Sequence, residues 1–350
     1  MKLRRTLTLL LLLVSMLTAS AQWLPDTVLG QGYAMRYIEQ PADYAGPERC
    51  TVVRKLTTCQ HPKAAILYIH GYNDYFFQAE EGNRFVDSCY DFYALDLRKY
   101  GRSILPGQRK FQARDMKEYF PDIDSALSVI AADGRPHRQI VLMAHSTGGL
   151  IASYFLTLTP QAPVEALILN SPFLEWNFNG FMRKIAIPAV GFAGRIFPGM
   201  KISQGSHSLY AESLLKEYHG EWQYNTQWKT VKPEKVEASW IKAISSAQKE
   251  LRGKHPKISI PILLLHSDNS VYGNKWDDSF LHGDAVLNVE HIARFGRELG
   301  SDVTEIAIPG GLHDLALSAE PAREAFYDAI FTWLRKIIQN RPLTADNKSD

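Results

Sequence analysis

The run "QIVLMAHSTGGLIASYFL" (Gln139–Leu156) constrains the fold of this chain more than any other stretch. An apolar segment that predicts a buried strand passes directly into one that predicts a helix. So sharp a turn crowds the backbone, and the residues two before and two after its serine must be small. Ala144 and Gly148 meet that requirement around Ser146. The hydroxyl is then held out of the strand at a helix N-terminus, although a plain N-cap at Ser146 is an alternative.

Apolar runs bounded by turn residues alternate with helical segments along the chain. The runs that predict strands are "AAILYI", "DFYALDL", "QIVLMA", "EALILN", "IPILLLHS" and "VTEIAIPG". This alternation predicts a mostly parallel sheet with helices on both faces. The interval of about 171–256 interrupts this alternation of strands and helices. It is rich in aromatic residues and has helical patches but no clear strand. It is predicted to be an insertion over one end of the sheet.

The N-terminal segment 1–21 is typical of a secretory signal peptide. Three basic residues precede the apolar run Leu7–Leu17, which is short for a membrane span, and Ala19–Ala21 has the small-x-small form of a cleavage site. We therefore expect an exported protein, periplasmic or extracellular, whose mature chain has no stable membrane span. A retained membrane anchor is the alternative.

Composition narrows the class of protein further. Without residues 1–21 the chain has 36 basic and 37 acidic residues, a balance that argues against nucleic-acid binding. A hydrophobic content of 45% allows a sizeable core but is too low for a polytopic membrane protein. Export permits one disulfide among the three cysteines. Cys50–Cys59 is conceivable, but an odd number leaves the pairing open, and all three could be buried core residues.

The segment "YIHGYND", in which a strand ends at a His-Gly pair, is predicted to form one side of a catalytic site. After His70-Gly71 the backbone can present the N–H group of Tyr72, and the N–H group of Thr147 follows the serine. Two such donors form an oxyanion hole, which stabilises the charge of a tetrahedral intermediate. His70 itself is predicted to organise this loop rather than to act as a base.

A base and an acid are predicted after the later strands. His313 in "IPGGLHDL" follows the last strand on a glycine-rich loop and is the best-placed base. The acid should follow the "IPILLLHS" strand, where Asp268 and Asp284 are both candidates. We favour Asp284, because it stands on a loop that leads into a helix, a suitable mount for orienting an imidazole. Asp268 remains the alternative.

These motifs together resemble the α/β-hydrolase superfamily, in particular its monoacylglycerol lipase-like and serine aminopeptidase-like branch. The loop "DLRKYGRS" resembles that branch's D-x-R-G-x-G-x-S motif, with Lys99 in place of the first glycine. The resemblance covers roughly Ala64–Lys336 and implies an α/β-hydrolase fold with a mainly helical cap. We predict that the α/β-hydrolase domain spans residues 22–340, with the cap inserted at about 171–256. The polar residues 341–350 are predicted to form a flexible tail.

The resemblance also implies a Ser146–His313–Asp284 triad that cleaves carboxylic esters without a metal or organic cofactor. The aromatic cap favours a small-molecule ester with an apolar acyl or alkyl group. An aminopeptidase is the alternative, and it would need a cap carboxylate for the substrate's ammonium group. The available candidates are Glu175, Glu212, Glu217 and Glu221. A non-catalytic binding protein on this fold is a further alternative, and the oligomeric state is left open.

Overall fold

A mixed sheet of nine strands forms the centre of the protein in the computed structural model, which describes residues 22–136, 139–203, 208–253 and 257–339. The predicted signal peptide (1–21) and polar tail (341–350) lie outside the described residues. The strands are β1 Leu24–Pro25, β2 Ala34–Asp43, β3 Gly46–Lys55, β4 Ala65–Ile69, β5 Asp91–Asp96, β6 Ile140–His145, β7 Ala166–Asn170, β8 Lys201–Ile202, β9 Val236–Glu237, β10 Ile262–Ser267 and β11 Val303–Ile308. The order across the sheet is β1-β2-β3-β5-β4-β6-β7-β10-β11, and β8 and β9 form a separate two-stranded ribbon.

The helices connect successive strands and cover both faces of the sheet. The α-helices of the described residues are α1 Ala79–Asp87, α2 Phe120–Ala132, α3 Ser146–Leu158, α4 Ile187–Ile196, α5 Leu209–Leu214, α6 Ala238–Leu251, α7 Val289–Arg297 and α8 Glu320–Gln339. The short helical turns are Gly101–Ser103, Met116–Tyr119, Met182–Ala186 (a π-turn), Asp278–Leu281 and Leu315–Leu317. Within the described part of the chain, we find no helix with the length and apolar character needed to cross a bilayer.

Six adjacent strands of the sheet, β5, β4, β6, β7, β10 and β11, run parallel to one another, whereas β1, β2 and β3 add an antiparallel edge beside β5. Side chains that alternate along a strand enter opposite faces. In β6, Leu142 and Ala144 join the core on one face, and Val141 and Met143 join the core on the other. Burial on both faces explains why these strands are uninterrupted apolar runs in the sequence.

The chain leaves the sheet between β7 and β10, at the predicted insertion. This cap contains the π-turn, α4, α5 and α6. It also contains the antiparallel pairing of Lys201–Ile202 with Val236–Glu237, in an interval whose sequence shows no clear strand. With two residues on each side, this ribbon is too short to leave an alternating pattern in the sequence.

A disulfide links Cys59 to Cys89, and Cys50 is a buried free cysteine. The pairing of Cys50 with Cys59 considered from the sequence is therefore wrong. Cys59 precedes β4 and Cys89 precedes β5, and these strands are parallel neighbours, so both begin at the same edge of the sheet. The hydrogen bond from Lys63 N to Cys89 O (2.8 Å) holds the segments before the two strands together.

The loop after β5 is held by buried ion pairs. Lys99, which replaces the glycine of the family motif, has φ of 67°, a backbone conformation that favours glycine. Its fully buried ammonium lies 2.6 Å from Asp43 and 3.1 Å from Glu48. These contacts explain how a lysine is held at this position.

Candidate active site

Ser146 lies at the turn between β6 and α3, where the carboxyl ends of the parallel strands meet. Its φ is 51°, a left-handed conformation that costs a non-glycine residue about 1–3 kcal/mol. The N-cap position of α3 is occupied by His145 and not by Ser146, and the His145 side chain makes no capping hydrogen bond. The simple N-cap interpretation of Ser146 is therefore wrong, because its hydroxyl is directed to another partner.

Gly148 and Gly149 allow α3 to pack tightly against the loops beside it. A Cβ atom on Gly148 would lie 2.7 Å from Ile69 O and closer still to His70 O. A Cβ atom on Gly149 would lie 2.8 Å from the Pro172 side chain. The two glycines of the motif are thus required by contacts with backbone and with proline, neither of which can easily move.

The structure brings Ser146, His313 and Asp284 into one chain of hydrogen bonds. His313 Nε2 lies 2.9 Å from Ser146 Oγ, and His313 Nδ1 lies 2.9 Å from Asp284 Oδ2. All three side chains are buried. Since a carboxylate accepts, Nδ1 carries the proton and Nε2 is left to accept the serine proton.

The two candidate acids lie in different places. The second oxygen of Asp284 accepts the N–H groups of Val286 and Leu287 at 2.8 and 2.7 Å, which fixes the carboxylate. Asp268 instead accepts the N–H group of Gly310 at 3.0 Å, at the start of the loop that carries His313. Asp268 therefore supports that loop, whereas Asp284 contacts the imidazole itself.

Asp314, next to His313, holds the loop that carries the histidine in place through hydrogen bonds. It is fully buried and accepts hydrogen bonds from Asn170 Nδ2 (2.8 Å) and Gln78 Nε2 (3.1 Å). Burial acts to raise the pKa of Asp314, but His145, Lys229 and the Asn170 amide lower it by more, so the carboxylate stays ionised.

The predicted oxyanion donors lie beside the serine. Tyr72 and Thr147 line the same cavity as Ser146. A Cβ atom on Gly71 would lie 3.0 Å from Ser146 Cβ, which shows how closely this loop approaches the nucleophile. The use of the two N–H groups as an oxyanion hole stays a prediction.

His70 supports the loop, as the sequence predicts. Its Nε2 accepts the N–H group of Leu97 at 3.1 Å, so its Nδ1 donates to Gly71 O at 2.7 Å. Both ring nitrogens are thereby used in holding the ends of β4 and β5, and none is directed to a substrate.

A cavity of about 590 Å³ opens in front of Ser146 and is mainly aromatic and apolar. The rings and aliphatic side chains in its wall include Phe173, Trp176, Phe178, Tyr210, Leu214, Tyr224, Trp240, Phe280 and Leu287. Two other tryptophans of the cap attach it to the body instead. Trp222 donates to Leu317 O at 2.7 Å, and Trp228 packs edge-on to Tyr75.

A buried ion pair is one of the polar groups in this wall. Lys229 Nζ lies 2.8 Å from Asp74 Oδ1, which joins the cap to the loop after β4. Within the part of the chain that the structure describes, Asp74, His145 and Asp314 form a buried group whose potential ligand atoms lie within 4.8 Å of one another, close enough to suit a metal ion. The ammonium of Lys229 already supplies a positive charge to this group, and the expectation of a cofactor-free enzyme stays a prediction.

His145 lies behind the catalytic histidine. Its Nδ1 donates to Asn170 O at 3.2 Å, and its ring lies 4.9 Å from that of His313. Burial lowers the pKa of His145 to about 4, against the opposing attraction of Asp314. The imidazole is therefore neutral around pH 7.

Sequence reasoning missed several residues of this site. Tyr210 packs edge-on to the His313 ring at 5.6 Å, and Trp240 packs on Tyr72 at 4.6 Å. Both come from the cap, where no motif marks them. The Lys229–Asp74 pair was also missed, because 155 residues separate its members.

Comparison with known proteins identifies similar chains. A family model described as "Serine aminopeptidase, S33" matches residues 60–320. The monoacylglycerol lipase of Mycolicibacterium smegmatis is 22% identical over 280 residues, which cover 78% of this chain and 88% of that protein.

Solved structures agree in fold. A soluble variant of monoglyceride lipase from Saccharomyces cerevisiae has a TM-score of 0.65 at 16% identity, covering 89% of this chain and 97% of that one. The monoacylglycerol lipase of Paleococcus ferrophilus has a TM-score of 0.60 at 17% identity, covering 82% and 98%. The α/β-hydrolase fold and the branch predicted from the sequence are confirmed.

Proposed function

Because the chain belongs to the serine aminopeptidase S33 family and is a lipase/esterase-like serine hydrolase, we propose that it is an exported enzyme that cleaves carboxylic esters through an acyl-enzyme. The proposed nucleophile, base and acid are Ser146, His313 and Asp284. The observation that carries the proposal is the chain of two 2.9 Å contacts from serine through imidazole to carboxylate, at the wall of an apolar cavity.

In the proposed reaction, Ser146 Oγ attacks the ester carbonyl while His313 Nε2 accepts its proton. Asp284 holds the tautomer and stabilises the imidazolium. The N–H groups of Tyr72 and Thr147 stabilise the oxyanion, and loss of one such donor would raise the barrier by about 3 kcal/mol. His313 then returns the proton to the departing alcohol, and a water molecule activated by the same imidazole releases the acid.

The cavity wall supports an ester with an apolar acyl or alkyl group. Its rings and aliphatic side chains make up the larger part of the wall and offer an apolar surface beside the polar groups. The name of the relative from Mycolicibacterium smegmatis, a monoacylglycerol lipase, favours the same class of substrate.

An aminopeptidase is the second candidate, and the description of the family model favours it. Such an enzyme needs an anionic group for the substrate's ammonium. Among the residues described along the cavity wall, Asp74 is a carboxylate, but Lys229 already neutralises it. The candidate cap carboxylates Glu175, Glu212, Glu217 and Glu221 are not among those wall residues. We therefore rank ester hydrolysis first.

A substrate panel separates the two candidates. We expect p-nitrophenyl esters of increasing acyl length to be hydrolysed, amino-acid and prolyl amides to be hydrolysed far more slowly, and both activities to be absent from Ser146→Ala. Robust amide turnover with negligible ester turnover would reverse the ranking. Folded protein that is inactive on every substrate would support a non-catalytic binding role.

Export is proposed from the N-terminal segment alone. We expect the protein recovered from outside the cytoplasm to begin at Gln22, and its terminal peptide can be identified by mass spectrometry. A chain that retains residues 1–21 in the mature protein would contradict cleavage.

A further inference from the structure

The chain forms a closed loop just before the proposed acid. It leaves the sheet after β10 and returns at Asp284, where two backbone hydrogen bonds join the ends of the loop. Asp284 N donates to Asn269 O at 2.9 Å, and Val271 N donates to Asp284 O at 2.8 Å. We call residues 272–283 the side loop. Because its ends are joined, the side loop is a compact unit beside the candidate active site.

The side loop forms part of the cavity wall. Gly273, Asn274 and Phe280 line the cavity in front of Ser146. Phe280 is 3% exposed, and a Cβ atom on Gly273 would lie 3.1 Å from Phe280 Cζ. The loop therefore folds tightly around this phenylalanine, which fills one part of the wall.

Three stacked rings connect Phe280 with the cap. The rings of Trp276 and Phe280 have centroids 5.8 Å apart and planes 27° apart. His219 of the cap stacks on Trp276 with centroids 3.7 Å apart and planes 9° apart. We call Phe280, Trp276 and His219 the ring column. Since Phe280 is buried, Trp276 half-buried and His219 exposed, the ring column runs from the cavity wall to the surface.

The cap end of the ring column is fixed in place. His219 lies on the turn that follows α5, and its N–H group donates to Glu212 O at 3.2 Å. In the same turn, Trp222 N donates to Leu214 O at 2.8 Å. The indole of Trp222 also donates to Leu317 O at 2.7 Å, which fastens the turn to the body of the protein. His219 is therefore a firm support for the Trp276 ring.

The outer part of the side loop has little other support. Residues 272–275 and 277–279 are exposed. Tyr272 holds one end of the loop, since its hydroxyl lies 3.3 Å from Asn177 Oδ1 and 3.1 Å from Asn288 Nδ2. A segment with few buried contacts opens at a low free-energy cost. Loss of the Trp276 ring would therefore allow Phe280 to move out of the cavity wall.

We propose that Trp276 and His219 are specificity-determining residues, which hold Phe280 in the cavity wall and thereby limit the length of the acyl or alkyl chain that the site accepts. The inference rests on the proposed ester hydrolysis. Where a pocket wall is tight, one methylene group more or less changes kcat/KM by about 10–200-fold. A wall that yields would lose this discrimination.

The ratio of kcat/KM for p-nitrophenyl dodecanoate to kcat/KM for p-nitrophenyl butanoate tests the proposal. We expect Trp276→Ala to raise this ratio by at least about fivefold, because Phe280 loses its support and the longer chain gains room. His219→Ala should raise the ratio in the same direction. Hydrolysis of the butanoate should stay close to that of the parent. Trp276→Phe keeps a ring in the column and should retain the parental ratio.

Tyr272→Ala is the matched control. Tyr272 is an exposed aromatic residue of the same loop, and its hydroxyl contacts lie outside the ring column. This variant should have the parental ratio. His219→Ala removes the outer ring at the surface of the cap, so it keeps the test valid if Trp276→Ala fails to fold.

Binding to the Ser146→Ala protein separates this inference from the proposed function. Equilibrium dialysis with the two esters should show that adding Trp276→Ala strengthens binding of the dodecanoate and leaves binding of the butanoate unchanged. If the parent hydrolyses no ester, the proposed function fails, and the ratio of the two affinities still decides the role of the ring column.

Two results would overturn the proposal. One is a parental ratio, in hydrolysis or in binding, for folded Trp276→Ala and His219→Ala proteins. The other is an equal loss of activity on both esters in Trp276→Ala, which would show that the side loop positions Asp284 and does not select the substrate.

Discussion

At the scale of single residues, Asp284 and Asp268 follow the same strand but contact different groups. Asp284 lies 2.9 Å from His313 Nδ1, and Asp268 accepts from the backbone of Gly310. We expect Asp284→Asn to lower kcat/KM by about 10⁴, because the amide would stabilise the wrong tautomer of the imidazole. Asp268→Asn should cost less than about tenfold.

Steady-state kinetics on a p-nitrophenyl ester checks this ranking, with circular dichroism to show that both variants fold. If Asp268→Asn were the more damaging change, the acid would have to be reassigned and the 2.9 Å contact of Asp284 would be structural.

At the scale of elements, α3 can approach the end of β4 closely only because Gly148 has no side chain. We expect Gly148→Ala to destabilise the protein by more than about 2 kcal/mol and to lower activity, because the new methyl group would press on the backbone oxygens of Ile69 and His70. Gly180→Ala is the matched control, since a Cβ atom there meets nothing within 4 Å.

Denaturant unfolding and ester hydrolysis are measured together on both variants. A Gly148→Ala protein as stable and active as the Gly180→Ala protein would show that the serine turn tolerates a larger residue than its geometry allows.

At the scale of the whole molecule, burial of a neutral histidine makes stability depend on pH. The pKa of His145 is about 4 in the folded protein, against its ordinary value of 6.5. Between these values the unfolded chain binds more protons at this position than the folded chain, so stability falls as the pH drops from 6.5 to 4. We expect a loss of up to about 3 kcal/mol from this residue.

Unfolding by urea across this pH range gives the measurement. His145→Gln keeps a polar side chain but does not titrate, so its stability should fall less steeply over the same range. If the stability of parent and variant depended on pH in the same way, His145 would not be the cause of the loss of stability at low pH.

Much of this architecture could be predicted from local sequence. The parallel strands are apolar runs because both faces of the sheet are covered, and the turn around Ser146 is marked by its small neighbours. What depended on tertiary contacts could not be predicted. To choose Asp284 over Asp268, one must know that the loop between them folds back. This fold brings the backbone of Asp284 into a bridge with Ser270, shortly after the end of β10.

The disulfide and the cap residues of the site also depend on tertiary contacts, so the sequence could not predict them. Pairing Cys59 with Cys89 requires knowing that β4 and β5 are neighbours, which the sequence does not state. Trp240 and Tyr210 reach the site from a cap whose helices carry no motif. The partners of Lys99, which departs from the family pattern at a glycine position, lie about fifty residues away in sequence and are Asp43 and Glu48.

The most direct test of the central claim is to locate the covalent adduct formed with a fluorophosphonate. We predict one adduct, on the peptide containing Ser146, that forms quickly in the parent protein and is strongly suppressed in His313→Ala. Folded parent protein that forms no adduct, or an adduct at another residue that survives Ser146→Ala, would contradict the proposed catalytic serine.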